Sequence, residues 1–177
     1  MDHAELATAV DGIARLQGSF LLRSGITATE YFDKYRFEAD PSLLGEIARQ
    51  LAPLIPAGTE VLAGLELGGV PIATALALET GMPVAFVRKE AKAYGTCRLA
   101  EGADIDGRRV LVVEDVVTSG GQIALSTTDL RAAGAIVDHA LCVVDREQGG
   151  PEALARAGLT LVSLLTRTDL DAANARA

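Results

Sequence analysis

The sequence predicts an α/β fold in which a mostly parallel central sheet carries helices on both faces. Short apolar runs alternate with segments of helical periodicity along most of the chain, which is the pattern of such a fold. The 177 residues suffice for one domain with a real core, and an apolar content of 49% excludes a disordered chain. Ligands of open α/β sheets bind at the carboxyl ends of the strands, so we expect functional residues there.

The first forty residues precede the alternating pattern. Apolar residues at helical spacing predict a helix over residues 2–17, which Gly18 is expected to end. Residues 20–23 and 30–33 are expected to be short extended pieces around a Ser24-Gly25 turn.

The alternating part begins at Asp40 and Pro41, which suit the N-cap and the first position of a helix that Pro53 and Pro56 would end. The basic segment that starts at Arg88 is expected to be a loop that extends to about Gly107, and the Ala-rich tail after Asp169 is expected to fray. The other predicted elements are strands at 60–65, 83–87, 109–113, 137–144 and 159–165, and helices at 71–80, 121–133 and 151–157.

Residues 110–122, VLVVEDVVTSGGQ, form the most informative segment. An apolar strand leads into Glu114 and Asp115, and a glycine-containing turn then opens a helix. Glycines and a helix N-terminus offer backbone N–H groups that suit a phosphate. The two carboxylates suit ribose hydroxyls instead, and such a pair is costly at the end of a buried strand unless something uses it. Neither a Walker loop nor a dinucleotide fingerprint is present.

Charge and composition exclude several functions. The net charge of −8 argues against sequence-independent nucleic-acid binding, and no apolar run is long enough to span a membrane. No secretory signal is evident, and Cys97 and Cys142 are expected to be reduced thiols, so a cytoplasmic location is predicted. Against this acidic background, residues 88–98 hold four basic side chains and one acidic one. A solvated charged loop would explain that, but its place after a buried strand favours a role in a site.

Residues 110–122 resemble the motif with which type I phosphoribosyltransferases bind 5-phosphoribosyl 1-pyrophosphate (PRPP). Further segments resemble the orotate branch of that family. These are Arg88-Lys89-Glu90-Ala91-Lys92 with Glu101-Gly102, as in the mobile catalytic loop; Leu22-Arg23-Ser24-Gly25 with Tyr31-Phe32, as in the segment around the orotate ring; and Asp145-Arg146, where an arginine holds the orotate carboxylate.

The resemblance implies a type I phosphoribosyltransferase-like fold with a small N-terminal hood. It implies one domain over 1–177, with hood and N-terminal helix in about 1–40 and a PRPP-binding core in 41–165. It also implies transfer of the phosphoribosyl group from PRPP to orotate, giving orotidine 5′-phosphate and pyrophosphate, in de novo pyrimidine (UMP) biosynthesis. The partners would be these small molecules and a second copy of the chain in a homodimer with shared sites, with no nucleic acid and no membrane.

The resemblance also assigns roles to single residues. Lys92, Glu114 and Asp115 are the expected catalytic residues, and Thr118, Arg146, Tyr31 and Phe32 are expected to contact orotate. Mg²⁺ is expected to arrive on the pyrophosphate, without a cage of protein side chains. The residues expected to bind PRPP are Arg23, Arg88, Lys89, Lys92, Tyr94, Glu114, Asp115, Val116, Val117, Thr118, Ser119, Gly120, Gly121 and Gln122.

Two positions depart from the family pattern and leave alternatives open. Tyr94 stands where the family usually has a loop histidine, and Glu66-Leu67 replaces a Tyr-Lys pair that some members use on pyrophosphate. The alternatives are a type I enzyme acting on a purine or modified base, and a non-catalytic PRPP-sensing regulator. Arg146 discriminates among the enzymes, because neutral purines offer no carboxylate for it to hold.

Overall fold

The computed structural model describes residues 1–21, 25–89 and 99–175. Its strands are β1 (Arg15–Leu21), β2 (Thr27–Phe32), β3 (Val61–Leu65), β4 (Val84–Val87), β5 (Ala100–Gly102), β6 (Arg109–Val117), β7 (Ile136–Asp145) and β8 (Thr160–Thr166). Its helices are α1 (His3–Ala14), α2 (Tyr35–Glu38), α3 (Pro41–Leu51), α4 (Gly69–Thr80), α5 (Gly121–Ala132), α6 (Gly150–Arg156) and α7 (Arg167–Asn174), with a 3₁₀ turn at Ala52–Leu54.

The central sheet has six strands in the order β5-β4-β3-β6-β7-β8. Neighbouring strands are parallel, except that β5 runs antiparallel to β4. β1 and β2 form a separate antiparallel hairpin. The prediction of a mostly parallel sheet is therefore confirmed.

Helices cover both faces of this sheet, as predicted. On one face α1, α3, α4 and α7 bury a cluster that contains Leu6, Ile47 and Leu170, and on the other α5 and α6 bury one that contains Ile123 and Leu154. Every residue of β3 is buried, because a strand covered on both sides has no solvent face.

The predicted start of α3 is confirmed in detail. The Asp40 carboxylate accepts hydrogen bonds from the backbone N–H groups of Ser42 and Leu43, both at 2.9 Å, and Pro41 occupies the first helical position. The cap satisfies two of the N–H groups that a helix leaves free at its start.

The first helix is shorter than predicted. α1 ends at Ala14, and Gly18 lies inside β1 instead of ending a helix. The chain turns at Arg15, whose guanidinium pairs with Glu30 at 2.9 Å and with Asp171 at 2.8 Å. Both partners are distant in sequence, so helical periodicity could not reveal the boundary.

Three further elements depart from the sequence prediction. β5 lies within the predicted loop and pairs with β4, and the short helix α2 was not expected. The tail after Asp169 is helical instead of frayed: Thr166 and Asp169 cap each other at the start of α7, and Leu170 is buried against the core. Within the residues described, no helix is long and apolar enough to cross a membrane.

Candidate active site

The carboxyl ends of the parallel strands lie along one edge of the central sheet. Glu66 follows β3, Arg88 follows β4 and Arg146 follows β7, so that these side chains meet at the same edge. The chain passes from β3 to β4 on one side and from β6 to β7 on the other, which makes the gap between β3 and β6 the point where strand order reverses. Open α/β sheets bind their ligands at such a point.

The end of β6 and the turn after it form a cradle. β6 continues to Val117, so Glu114 and Asp115 lie inside the strand. The predicted strand, which ended at residue 113, had placed both residues beyond its end. Gly120 adopts a φ of 73° before α5, a conformation that favours glycine. A cavity of about 210 Å³ is lined by Glu114 and by residues 116–123, which include the predicted residues Val116, Val117, Thr118, Ser119, Gly120, Gly121 and Gln122. Its wall contains the N-terminus of α5, which suits a phosphate.

The turn after β3 packs directly against β6. A Cβ atom on Gly69 would lie 2.2 Å from the carbonyl oxygen of Val113, and one on Gly68 would lie 1.4 Å from Oδ2 of Asp115. Glycine is therefore required at both positions. The Glu66 carboxylate accepts a hydrogen bond of 3.1 Å from the backbone N–H of Lys89, which ties this turn to the start of the basic segment.

The two motif carboxyls are buried and electrostatically linked. Asp115 is completely buried, and burial together with the charge of Asp115 raises the pKa of Glu114 to about 9. Oδ2 of Asp115 lies 2.6 Å from Nζ of Lys34, a residue of the N-terminal segment. Burial lowers the pKa of the Lys34 ammonium, but its hydrogen bond and charge interaction with Asp115 outweigh burial and the net pKa is raised. The site thus holds one buried ion pair beside a carboxyl that binds its proton tightly.

The basic segment is fixed where it leaves the sheet. The backbone N–H of Arg88 donates to the carbonyl oxygen of Leu99 at 2.9 Å, and the buried Nε of Arg88 has no hydrogen-bond partner in the described part of the chain. Lys89 is exposed. Of the other residues predicted to bind PRPP, Arg23, Lys92 and Tyr94 lie outside the described residues.

Arg146 and Phe32 meet at the other end of the site. The Arg146 guanidinium carbon lies 5.1 Å from the centre of the Phe32 ring, and its Nε is buried without a hydrogen-bond partner. Tyr31 points to the opposite side of β2, because successive side chains of a strand alternate, and it packs against Phe20 with ring centres 5.5 Å apart. The structure therefore brings Phe32 to Arg146, but not Tyr31.

The neighbouring acids do not neutralise Arg146. The Asp145 carboxylate accepts from the backbone N–H of Glu147, and the Glu147 carboxylate accepts from Thr168. Across residues 1–21, 25–89 and 99–175, no carboxylate lies within ion-pair distance of Arg146. Burial lowers the pKa of Arg146, and the positive charges of Arg167 and Arg15 lower it further. A half-buried guanidinium without an acidic partner favours an anionic ligand.

A network of charges surrounds this arginine. Arg15 binds Glu30 at 2.9 Å, while Arg167 binds Asp171 at 2.8 Å and lies 4.0 Å from Glu30. Glu30 and Asp171 thus pair with Arg15 and Arg167. Of these three arginines, Arg146 is the one that has no acidic partner within the residues described.

Comparison with known proteins decides the family. Residues 41–157 match the family model of the phosphoribosyl transferase domain. An orotate phosphoribosyltransferase of Nocardioides sp. is 56% identical over 170 residues, which cover 96% of this chain and 95% of the relative. The chain belongs to the orotate phosphoribosyltransferase family.

Solved structures of orotate phosphoribosyltransferases share the architecture. The Mycobacterium tuberculosis enzyme in complex with Fe(III) dicitrate has a TM-score of 0.86 at 34% identity and covers 96% of this chain and 99% of its own. The same enzyme in complex with PRPP has a TM-score of 0.84 at 32% identity and covers 97% of this chain and 99% of its own. The predicted type I phosphoribosyltransferase-like fold is confirmed.

Sequence reasoning missed two residues at this orotate phosphoribosyltransferase site. Lys34 immediately precedes α2 and Glu38 is its last residue, and both side chains interact with Asp115. Neither residue belongs to a motif that the sequence analysis singled out. Their spacing of four residues places them on one face of a helical turn, which is a weak signal that charged surface helices share. Their role becomes visible only when β6 is placed beside α2.

Proposed function

We propose that this orotate phosphoribosyltransferase family member transfers the 5-phosphoribosyl group of PRPP to orotate, giving orotidine 5′-phosphate and pyrophosphate in de novo UMP synthesis. The observation that carries the choice of base is the half-buried Arg146 guanidinium above the Phe32 ring, which has no acidic partner in the described residues and a buried Nε without a hydrogen bond. A guanidinium can hold a carboxylate with two parallel hydrogen bonds, and the ring supports it from behind. Orotate has such a carboxylate, whereas adenine, hypoxanthine and xanthine do not.

The ribose end of the site supports the chemistry. Loss of pyrophosphate from C1 leaves an oxocarbenium-like centre, and a ring nitrogen of orotate then completes the new C–N bond. The carboxyls of Glu114 and Asp115 would hold the ribose hydroxyls, and the Asp115 carboxylate would favour the positive charge that develops on the sugar. The cavity of residues 116–123 would hold the 5′-phosphate at the N-terminus of α5.

Cations are needed where negative charge grows on the leaving pyrophosphate. Arg88 and Lys89 stand at the sheet edge beside the Glu66–Gly69 turn, and Lys92 and Arg23 would add to them from outside the described residues. Lys92 acts, in this proposal, chiefly on the transition state, because the additional negative charge on the leaving group develops there and is absent from bound PRPP.

Mg²⁺ is proposed to enter with the pyrophosphate of PRPP. Carboxylate oxygens suit this ion, but the described residues contain no group of three metal-ligating side chains, and Lys34 already supplies a cation at Oδ2 of Asp115. When bound, the ion would neutralise part of the pyrophosphate charge.

We also propose that the enzyme is a cytoplasmic homodimer in which the basic segment of one subunit serves the site of the other. Residues 1–40 would supply the hood over the 41–165 core, since the β1–β2 hairpin places Phe32 at Arg146. Mixing Lys92→Ala chains with Asp115→Asn chains tests the sharing, because each hybrid would contain one intact site. Recovered activity supports it, and no recovery in hybrids proven by mass to have formed contradicts it.

The function itself is tested by following orotate absorbance with PRPP and Mg²⁺, beside parallel reactions with adenine, hypoxanthine and xanthine. We expect orotate to be consumed and the purines to be left. Faster turnover of a purine would overturn the choice of base while leaving the PRPP site intact. Binding of PRPP without turnover of any base would favour the regulator instead.

A further inference from the structure

The segment that links the hairpin to the core reaches into the ribose end of the site. Lys34 precedes the short helix α2 and Glu38 ends it, so the two side chains lie on one face, four residues apart. Phe37 between them is completely buried and holds the segment in place, with its ring centre 6.3 Å from that of Phe32. Both charged side chains are thereby directed at Asp115.

Two buried carboxyl oxygens meet in this place. Oε1 of Glu38 has no hydrogen-bond partner in the described residues, and Oδ2 of Asp115 has the Lys34 ammonium 2.6 Å away. The two oxygens lie next to the same residue, Gly68. A Cβ atom on Gly68 would lie 1.4 Å from the Asp115 oxygen and 3.1 Å from the Glu38 oxygen. Two ionised carboxylates would repel each other there, whereas one proton between them gives each oxygen a partner.

The surrounding charges fit this arrangement. The groups that face Glu38 are Asp115 and Glu114 from β6 and Lys34 from its own segment. Burial raises the pKa of Glu38 to about 9. The hydrogen bond and the charge of Asp115 also raise this pKa, whereas the charge of Lys34 lowers it. Lys34 instead lies 2.6 Å from Oδ2 of Asp115, so Asp115 is the member of the cluster that has a cation in contact.

We propose that Lys34 and Glu38 are positioning residues for Asp115: Lys34 balances the charge of its buried carboxylate, and Glu38 donates a hydrogen bond to it. The inference rests on the proposed role of Asp115 as the acceptor for a ribose hydroxyl. Without Lys34, the carboxyl of Asp115 is buried beside two other carboxyls with no cation in contact, which weakens its hold on a hydroxyl. Without the Glu38 donor, Oδ2 loses one of the two groups that orient it.

The test compares Lys34→Met, Lys34→Arg, Glu38→Gln and Glu38→Ala by KM and kcat for PRPP from pH 6 to 10, and by calorimetric titration with PRPP. Arg36→Met is the matched control, since it removes a positive charge from the exposed face of the same helix. We expect Lys34→Met to raise KM for PRPP at least tenfold at pH 7, because the buried carboxyl of Asp115 loses the cation in contact with it. Lys34→Arg should recover most of the affinity, and Arg36→Met should lose little.

The Glu38 pair separates a neutral donor from an anion. Glutamine can donate the same hydrogen bond, so Glu38→Gln should bind PRPP at least fivefold more tightly than Glu38→Ala. Equal losses in these two variants, or an unchanged PRPP affinity in both Lys34→Met and Glu38→Ala, would overturn the inference. Should Glu38→Ala fail to fold, a Glu38→Gln affinity that falls tenfold below that of the native chain would overturn it as well.

Asp115→Asn shows which proposal has failed. An unimpaired Asp115→Asn chain would remove the proposed role of Asp115 itself. An impaired Asp115→Asn chain beside an unimpaired Lys34→Met chain would reject the positioning role alone.

Discussion

The two ends of the site hold opposite charges and balance them differently. At the ribose end, the buried carboxyls of Glu114 and Asp115 meet Lys34, whose ammonium lies 2.6 Å from Asp115. At the base end, Glu30 and Asp171 pair with Arg15 and Arg167, and Arg146 is left without an acidic partner in the residues described. Asp115 is therefore already paired at one end, whereas Arg146 is unpaired at the other within the residues described.

The difference shows which end depends on its ligand. Glu30 lies in β2 and Lys34 lies between β2 and α2, so the stretch from β2 to α2 supplies a counter-charge to each end. At the proposed ribose end, Asp115 already has a partner in Lys34. At the proposed base end, the half-buried Arg146 guanidinium has no acidic partner in the residues described, which is why we propose that a carboxylate-bearing base binds there.

The largest effect is expected at the base end. Arg146→Ala should raise KM for orotate about 30- to 150-fold, since a charge-assisted bidentate contact contributes about 2–3 kcal/mol. KM for PRPP should change little, and uracil, which lacks the carboxylate, should be poor for both chains. Steady-state kinetics with orotate and uracil measure this.

Two further variants control that measurement. Arg146→Lys keeps the charge but loses the planar fork, so it should recover only part of the affinity. Arg156→Ala removes an exposed arginine from α6 and should leave orotate kinetics unchanged. Equal orotate KM values in the native and Arg146→Ala chains would refute the carboxylate clamp.

The next effect concerns the ribose end. Asp115→Asn and Glu114→Gln should each lower kcat/KM for PRPP at least tenfold, about 1.4 kcal/mol, because an amide changes the groups offered to the ribose hydroxyls and, at Asp115, removes the charge that pairs with Lys34. Asp138→Asn, at an exposed aspartate on the opposite end of the sheet, is the control. If both motif variants bind and use PRPP as the native chain does, the acidic pair does not hold the ribose.

A smaller effect is expected on stability as pH changes. The pKa of Glu38 is raised from 4.5 to about 9 on folding, so this carboxyl favours the folded state fully below about pH 4.5 and loses that contribution as pH rises toward 9. Glu38→Gln has no such proton to lose. The melting temperature of Glu38→Gln relative to that of the native chain should therefore rise between pH 5 and pH 8. The rise is a few degrees if the free energy of unfolding of the two chains changes by about 1 kcal/mol relative to each other.

Thermal melts of the ligand-free proteins at several pH values measure this difference. Glu46→Gln is a useful comparison, because the pKa of Glu46 is lowered by its hydrogen bond with Gln50, so its pH dependence has the opposite sign. A melting difference for Glu38→Gln that shrinks with rising pH would show that Glu38 is ionised in the folded protein.

The smallest effect should come from the counter-charge at the base end. Glu30→Gln removes an acid that attracts Arg146 from a distance and pairs with Arg15. Orotate, an anion, should then bind slightly more tightly, with KM about two- to fivefold lower, since the opposing negative charge is gone. Orotate kinetics at low and high salt measure the effect, and a raised KM would show that Glu30 positions Arg146 more than it competes with the ligand.

The sequence reveals the two ends of the site to different degrees. The ribose end could be predicted because an apolar strand, two acids and a glycine turn are contiguous at 110–122. Its counter-charge could not, because Lys34 meets Asp115 only through packing of α2 against the sheet. At the base end, Arg146 was evident as a residue after a strand, but its lack of a partner depends on Glu30 and Asp171, which tertiary contacts place elsewhere.

The same limit explains the elements that were wrong or missing. α7 is stabilised by a cap at Thr166 and by burial of Leu170 against the core, neither of which local alanine content indicates. Tyr31 and Phe32 read as a pair in sequence, yet strand alternation separates them.

Gly68 and Asp115 constrain each other through the space between them. Any side chain there would occupy the space of the Asp115 carboxylate, since even a Cβ atom would come within 1.4 Å of it. The two positions are 47 residues apart in the sequence, yet they share one small space. A larger residue at position 68 would push the Asp115 carboxylate away from Lys34, so a substitution of this glycine disturbs the ion pair as directly as a substitution of the aspartate itself.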